Sequence, residues 1–232
     1  MKRLEADAFT ESLSSCHLGG YEVKRESVPM KLLLFSDLHA DVAAARHLVA
    51  RARRTDVLIG AGDFGNARQN LRACLDVLRA AAKPAVLVAG NNESTEELAA
   101  AGGHWPQAHV LHGSAVTVAG VEFFGIGGGI PVTPFGSWSY DFTEEQAADL
   151  LAGCPAGCVL VSHSPPKGAV DVSSGGRSLG SVAVREAVER VRPVLVVCGH
   201  IHAGAGKQAA IGLSPVVNAG PFGIEWELTG RA

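Results

Sequence analysis

No stretch of the 232-residue chain reaches the ~18 consecutive apolar residues of a membrane span. The opening MKRLEADAFTES is basic at first but has no apolar core of a secretory leader. Cysteine is sparse and unpatterned. Cys16, Cys74, Cys154, Cys158 and Cys198 are odd in number and share no repeated spacing, which argues against a disulfide framework and for a reducing compartment. Cys154 and Cys158 lack the second cysteine pair of a structural zinc site and read as two thiols near a turn. An excess of positive charge is missing too. A net charge of −3 makes no general electrostatic case for nucleic acid or an anionic membrane, so an anionic ligand would have to be handled locally. These absences lead to the expectation of a cytoplasmic protein with no membrane partner and no general nucleic-acid binding; none of them bears on oligomeric state.

What is present is an ordinary globular composition, 47% hydrophobic and 19% charged, at a length that suits one domain with a sizeable core. Residues 1–29 are of mixed charge and lack sustained periodicity. They read as an N-terminal extension, mobile or arising from an upstream start codon, and carry no assigned function. The domain is expected over 30–232. From Met30 the pattern is strand, loop, helix, repeated: KLLLFS, a helix over 42–54 with Val42, Ala45, Leu48 and Val49 on one face, DVLIGAG, the helix RQNLRACLDVLRAAA, and AVLVAG. Continuous apolar strands alternating with amphipathic helices indicate an α/β fold with sheet buried on both faces. HVLHGSAVTVAGVEFFGIGGG reads as short, antiparallel strands. The loop GGGIPVTPFGSWSYDFT is long for a connection and suits a substrate-facing lid. CVLVSH, a helix near 181–191, PVLVVCGH and SPVVNAG resume the alternation, and GIEWEL closes as an antiparallel edge.

The informative residues follow the strands. Asp37 and His39 come after LLLFS, Asp63 after VLIGAG, Asn91 after VLVAG, His163 after CVLVS, and His200 and His202 after VLVVCG. In open α/β sheets, ligands collect outside the carboxyl ends of strands. Neutral imidazole and ionised carboxylate bind divalent transition metals, and no thiolate accompanies them. These seven side chains are too many for one tetrahedral ion and suit two ions sharing a carboxylate. Two ions ~3.5–4 Å apart generate hydroxide at neutral pH and clamp both oxygens of an in-line phosphoryl displacement. Singly, each residue is more simply a cap, a turn residue or a packed histidine. It is their repetition at successive strand ends that favours a metal site.

The order SDLHAD, GAGDFGN, AGNNE, VSHSPP and CGHIH resembles the calcineurin-like metallophosphoesterase superfamily over about residues 31–220. HSPPKG and VVNAGP are similar to its predicted phosphodiesterase-like subgroup. The resemblance implies a metallo-dependent phosphatase fold, a four-layer α/β/β/α sandwich of two mixed β-sheets flanked by helices. It further implies two metal ions (manganese, iron or zinc), the first on Asp37, His39 and His202 and the second on Asn91, His163 and His200, with Asp63 bridging. Catalysis would then involve Asp63, Asn91 and Asn92, a metal-bridging hydroxide attacking phosphorus in line.

The third motif departs from the family. Its usual Gly-Asn-His is here Gly90-Asn91-Asn92, so the catalytic histidine is replaced by an amide. Asn92 can donate a hydrogen bond to phosphate but gives up no proton near neutral pH, and general acid catalysis contributes ~10²–10⁴-fold. Activated esters, or recruitment of another acid from His104, His109 or His112, are the expected consequences. Without a histidine to orient, Glu93 is left to bond Asn92 or backbone. Asn66 either approaches substrate or forms a turn, and Ser162 stands beside His163 as a hydrogen-bond donor. Among Lys167, Arg177 and Ser178, one cation meets phosphate or all remain solvated. Trp138 and Tyr140 either stack on a base, as for a nucleotide substrate, or pack the loop down. The function expected is a phosphodiesterase, with a phosphomonoesterase on the same site and a catalytically weak metal-bound scaffold as alternatives.

Overall fold

The computed structural model describes residues 29–229, so the expected N-terminal extension lies outside it but for Pro29. The first half of the chain runs β1 Met30–Phe35, α1 Val42–Ala52, β2 Val57–Ala61, α2 Leu71–Leu78, β3 Ala85–Val88, α3 Thr95–Gly102 and β4 Ala108–Val110. The second runs β5 Ser114–Val118, β6 Val121–Ile126, α4 Glu144–Leu151, β7 Val159–Ser162, α5 Val182–Val191 and β8 Leu195–Cys198. It ends with β9 Gln208–Ile211, β10 Ser214–Asn218 and β11 Ile224–Leu228.

Two mixed sheets result, one in the order β11-β1-β2-β3-β4 and the other β5-β6-β7-β8-β10-β9. Pairing from β1 through β4 is parallel, and GIEWEL joins as the antiparallel edge strand β11. The middle segment is antiparallel only in part. Only β5 and β6 form an antiparallel hairpin; β4 completes the first sheet in parallel, and β6 runs parallel to β7. The buried run of β6, Phe123–Ile126, is continuous because both faces of this strand are covered.

Alternation within β1 sets the layering. Leu33 and Phe35 pack with Leu48 of α1, Leu75 of α2 and Leu98 of α3, while Leu32 and Leu34 face the second sheet through Phe123, Val159 and Val197. On the far side Phe124, Leu160 and Val196 meet Leu151 of α4 and Val184 and Val188 of α5. The layers are therefore α/β/β/α. Helix starts are set locally: Asp41 accepts from Ala43 and Ala44 N–H at α1, and capping boxes Ser94/Glu97 and Thr143/Gln146 open α3 and α4. No described helix is long and apolar enough to cross a membrane.

Because β1, β2 and β3 are mutually parallel, as are β7 and β8, their carboxyl ends share an edge in each sheet. Inter-sheet packing of β2 against β7 and β8 brings the two edges together. Phe123 is wholly buried between the sheets. Phe123→Ala is expected to lower stability by about 3–5 kcal/mol, read from the urea midpoint at unchanged slope.

Candidate metal centre

The strands β1, β2 and β8 turn sharply as they leave the sheet at this edge. Asp37, His39, Asp63 and His200 all adopt left-handed backbone conformations, with φ of 56°, 45°, 57° and 64°. Non-glycine residues pay roughly 1–3 kcal/mol for such conformations, and they gather at functional sites. The turns aim side chains across the gap between the sheets. His39 Nε2 lies 2.9 Å from His202 Nε2, and Asp63 Oδ2 lies 3.6 Å from His39 Nε2. Asp37 Oδ1 is 3.7 Å from His202 Nε2. On the other flank, His163 Nε2 is 3.5 Å from Asp63 Oδ1 and 3.3 Å from Asn91 Oδ1, and His200 Nδ1 is 3.1 Å from the same amide oxygen. The structure thus brings together all seven strand-end residues.

The donor set fits cations. His163 Nδ1 lies 2.7 Å from the Ala61 carbonyl, to which it donates, so in the neutral ring the lone pair is on Nε2. That lone pair faces two further acceptors, Asp63 Oδ1 and Asn91 Oδ1. Asn91 is oriented by its own Nδ2, which donates to Ser139 Oγ at 3.1 Å. Lone pairs facing lone pairs repel unless a proton or a metal ion lies between them. Asp37, His39 and His202 offer ligand atoms within 4.8 Å of one another, as do Asp37, Asp63 and His163. Burial, followed by the neighbouring His163, pushes His200 down to about 3. Burial also lowers His39 against the pull of Asp63 and Asp37. For His163 burial works downward, but Asp63 and Asp37 outweigh it and the pKa rises.

Glu93 ties the β2 and β3 loops together. Fully buried, it accepts backbone N–H groups from Asp63 (2.8 Å), Phe64 (3.3 Å), Gly65 (2.9 Å) and Gly90 (2.8 Å). Burial and then the charge of Asp63 push it up to about 7, against those donors. Both oxygens accept N–H groups, and the ionised carboxylate is the form that fits. Gly90 is required here, because a Cβ on it would overlap Asp63 Oδ1.

Asn92 is turned toward the protein. Its Nδ2 donates to Asp63 Oδ2 at 2.7 Å, its backbone N–H donates to Asp63 Oδ1 at 2.9 Å, and its Oδ1 accepts from Ala67 N–H at 2.7 Å. Asn66 is an exposed turn residue bonded through its backbone to Gln69. Ser162 donates to the Ser164 carbonyl at 2.7 Å, shaping the turn that holds His163. Lys167 is engaged by the Ser178 carbonyl, and Ser178 by Asp171. His112 accepts from Gly127 N–H and packs on Tyr140 and Phe142; burial lowers its pKa. Neither His104, His109 nor His112 lines the clefts at the centre. Tyr140 packs inward while Trp138 stays half-exposed against Phe135. Three further side chains enter with no sequence signature of their own. Ser36 donates to Asp37 Oδ2 at 2.6 Å, and Ser139 holds the Asn91 amide. Asn218 Nδ2 donates to the Gly199 and Ile201 carbonyls on either side of His200.

Two clefts open beside the centre. The larger, about 630 Å³, is walled by Pro131–Phe135 of the loop after β6, by Ser173, Ser174 and Arg177, and by the loop after β8, with Asp63 and Asn91 on its floor. The other, about 440 Å³, lies between Asp37 and the segments 205–206 and 219–224. Among the described residues they share only the His39 and His202 side chains.

A family model of the calcineurin-like phosphoesterase superfamily domain matches residues 30–230. The chain belongs to the calcineurin-like phosphoesterase superfamily. Within curated relatives, the UPF0046 protein K07C11.7 of Caenorhabditis elegans is 29% identical over 193 residues, covering 75% of this chain and 63% of that one. Metallophosphoesterase domain-containing protein 1 of Homo sapiens is 34% identical over 122 residues, 50% of this chain and 36% of that one. The match therefore spans less than two thirds of either relative. The crystal structure of TT1561 of Thermus thermophilus superposes with a TM-score of 0.67 at 20% identity, covering 83% of this chain and 90% of that one. A dimetal phosphatase from Danio rerio gives 0.57 at 14%, covering 83% and 88%. At these identities the likeness is one of fold, and it confirms the phosphoesterase sandwich.

Glu93→Gln replaces one acceptor oxygen by an N–H₂ group facing N–H donors. It is expected to cost roughly 2–5 kcal/mol in urea unfolding of metal-free protein.

Proposed function

We propose that this superfamily member is a two-metal phosphodiesterase. Asp37, His39 and His202 would hold one ion, Asn91, His163 and His200 the second, and Asp63 would reach both. The observation that carries the reading is the His163 Nε2 lone pair aimed at Asp63 and Asn91 oxygens, beside the mirrored His39–His202 pair over Asp63 and Asp37. The fold shared with the Danio rerio dimetal phosphatase supports the two-ion count. When bound, two such ions supply Lewis acidity that activates water and offsets charge on phosphoryl oxygens.

The remaining chemistry rests on the chain. Ala61 sets the tautomer of His163, Ser139 orients Asn91, and Asn92 and Glu93 fix Asp63, so the donors are held before substrate arrives. Asn92 has no titratable proton, and its amide is committed to Asp63 and Ala67. The leaving group therefore departs without a proton from that position, which favours esters of acidic alcohols. Among the described residues, Arg177 is the one permanent cation lining the larger cleft. A single cation matches the single charge of a diester better than the dianion of a monoester. Imidazole with carboxylate suits manganese, iron and zinc alike.

Metal-stripped protein reloaded with manganese or zinc is expected to hydrolyse bis(4-nitrophenyl) phosphate faster than 4-nitrophenyl phosphate, and to lose this on chelation. Asp63→Asn should lower turnover by about a hundredfold or more. Faster monoester cleavage would replace the diester reading with a phosphomonoesterase, and no turnover with any metal would leave a scaffold. Asn92→His is expected to raise alkyl-ester relative to nitrophenyl-ester rates, toward the ~10²-fold lower bound of general acid catalysis. An unchanged ratio would show that the position no longer reaches the leaving group.

A further inference from the structure

A phosphorus atom at the proposed centre sits beside two clefts of different chemistry. The larger carries Arg177, Ser173 and Ser174 opposite the apolar loop after β6. Apart from Asp37, His39 and His202, the smaller is lined by Ala205, Ala219, Pro221, Phe222, Ile224 and glycines, with no cation and no other charged group among the described residues. Its rim holds Phe222, 71% exposed. Exposed apolar surface continuous with an apolar pocket suits a ligand-binding groove.

We propose that this smaller pocket is a subsite for one apolar arm of a phosphodiester, and that the Arg177 cleft takes the other, polar or anionic arm. The inference rests on the phosphodiester reading and specifies its substrate class: a mixed diester with an aryl- or alkyl-like arm on one side. Three features support this assignment. The pocket is continuous with the centre, since Asp37, His39 and His202 are both proposed ligands and its inner wall. The His39–His202 pair is the only described lining common to both clefts, so it stands where the two arms of one phosphorus would diverge. Room for the arm comes from small lining residues, Ala205, Gly206, Ala219, Gly220 and Gly223. A monoester has no second arm and would leave this pocket unused.

The test measures binding, so it does not depend on turnover. Methyl(phenyl)phosphinate and dimethylphosphinate are monoanions whose P–C bonds cannot be hydrolysed, and they differ only in whether an aryl arm is present for the apolar pocket. Calorimetric titration of the zinc-loaded protein is expected to show the phenyl compound binding about tenfold tighter than the dimethyl one, with a more negative heat-capacity change. Ala205 is exposed and extended (φ −52°, ψ 129°), so it accepts any side chain. Ala205→Trp fills the pocket and should bring the two affinities within about twofold. Phe222→Ala, at a side chain 71% exposed, should narrow the gap by several-fold, while Arg177→Ala weakens both ligands alike. Equal affinities in the wild type, failure of both to bind, or a preference untouched by Ala205→Trp and Phe222→Ala, would overturn the subsite. Loss of all ester hydrolysis with the binding contrast intact would sink the hydrolase reading instead and leave the pocket standing.

Discussion

Three buried carboxyl groups, Asp37, Asp63 and Glu93, crowd into one loop cluster, and the need to balance them organises this edge of the protein. Burying charge without partners is prohibitive, so each carboxyl must collect donors or cations. Glu93 is served by four backbone N–H groups, Asp63 by the backbone and amide of Asn92, and Asp37 by Ser36 and the His200 N–H. The left-handed turns at Asp37, Asp63 and His200 are the local form of this solution, because they turn successive N–H groups inward. What the backbone leaves uncompensated faces the imidazoles, where the proposed metal ions would complete the balance.

That arrangement depends on the two sheets holding their register. Leu32, Leu34, Ile59, Val161 and Val197 pack the interface directly beneath the loops that carry Asp37, Asp63, His163 and His200. Close-packed interiors transmit small displacements, and ligand sets tolerate only tenths of an ångström. Glycine extends the same precision into the loops: Gly62 and Gly90 meet so closely that a Cβ on Gly62 would fall 2.6 Å from the Gly90 Cα. The core and the centre are thus one mechanical unit. A void between the sheets would loosen the ligands as well as the fold.

The seven strand-end residues were legible because two simple signals coincide in each: a continuous apolar strand, and a metal-capable side chain at its carboxyl end. The parallel units β1–α1–β2–α2–β3 were equally legible, since buried strands and amphipathic helices differ plainly in period. Less of the middle could be read. Nothing in AHV or VEFFGI states whether a strand ends one sheet or begins another, because that is decided by long-range pairing. The environment of Asn92 was hidden for a related reason. Its partners are Asp63, 29 positions away, and the backbone of Ala67, and a backbone N–H has no sequence identity. Ser139, at the end of a glycine- and proline-bearing loop, likewise looks like any loop serine until the loop folds against Asn91.

Asn92 shows how this edge divides its tasks. A side chain there faces two claims, to brace Asp63 or to touch a ligand. With donor and acceptor ends both bonded to protein, this amide meets the first. Bracing Asp63 keeps the shared oxygen pair in place at the junction of the two sheets, where every other proposed ligand must find it. Recognition of whatever binds then shifts outward to the loop at 131–135, the segment 173–179 and the rim at 219–224, all irregular chain on the far side of the ligands but for the first residue of β11. Irregular segments tolerate sequence change better than strand ends do. A rigid inner set of charges surrounded by adjustable walls is therefore the division this edge suits: in the proposed reading the sheets would fix the chemistry and the loops the choice of substrate.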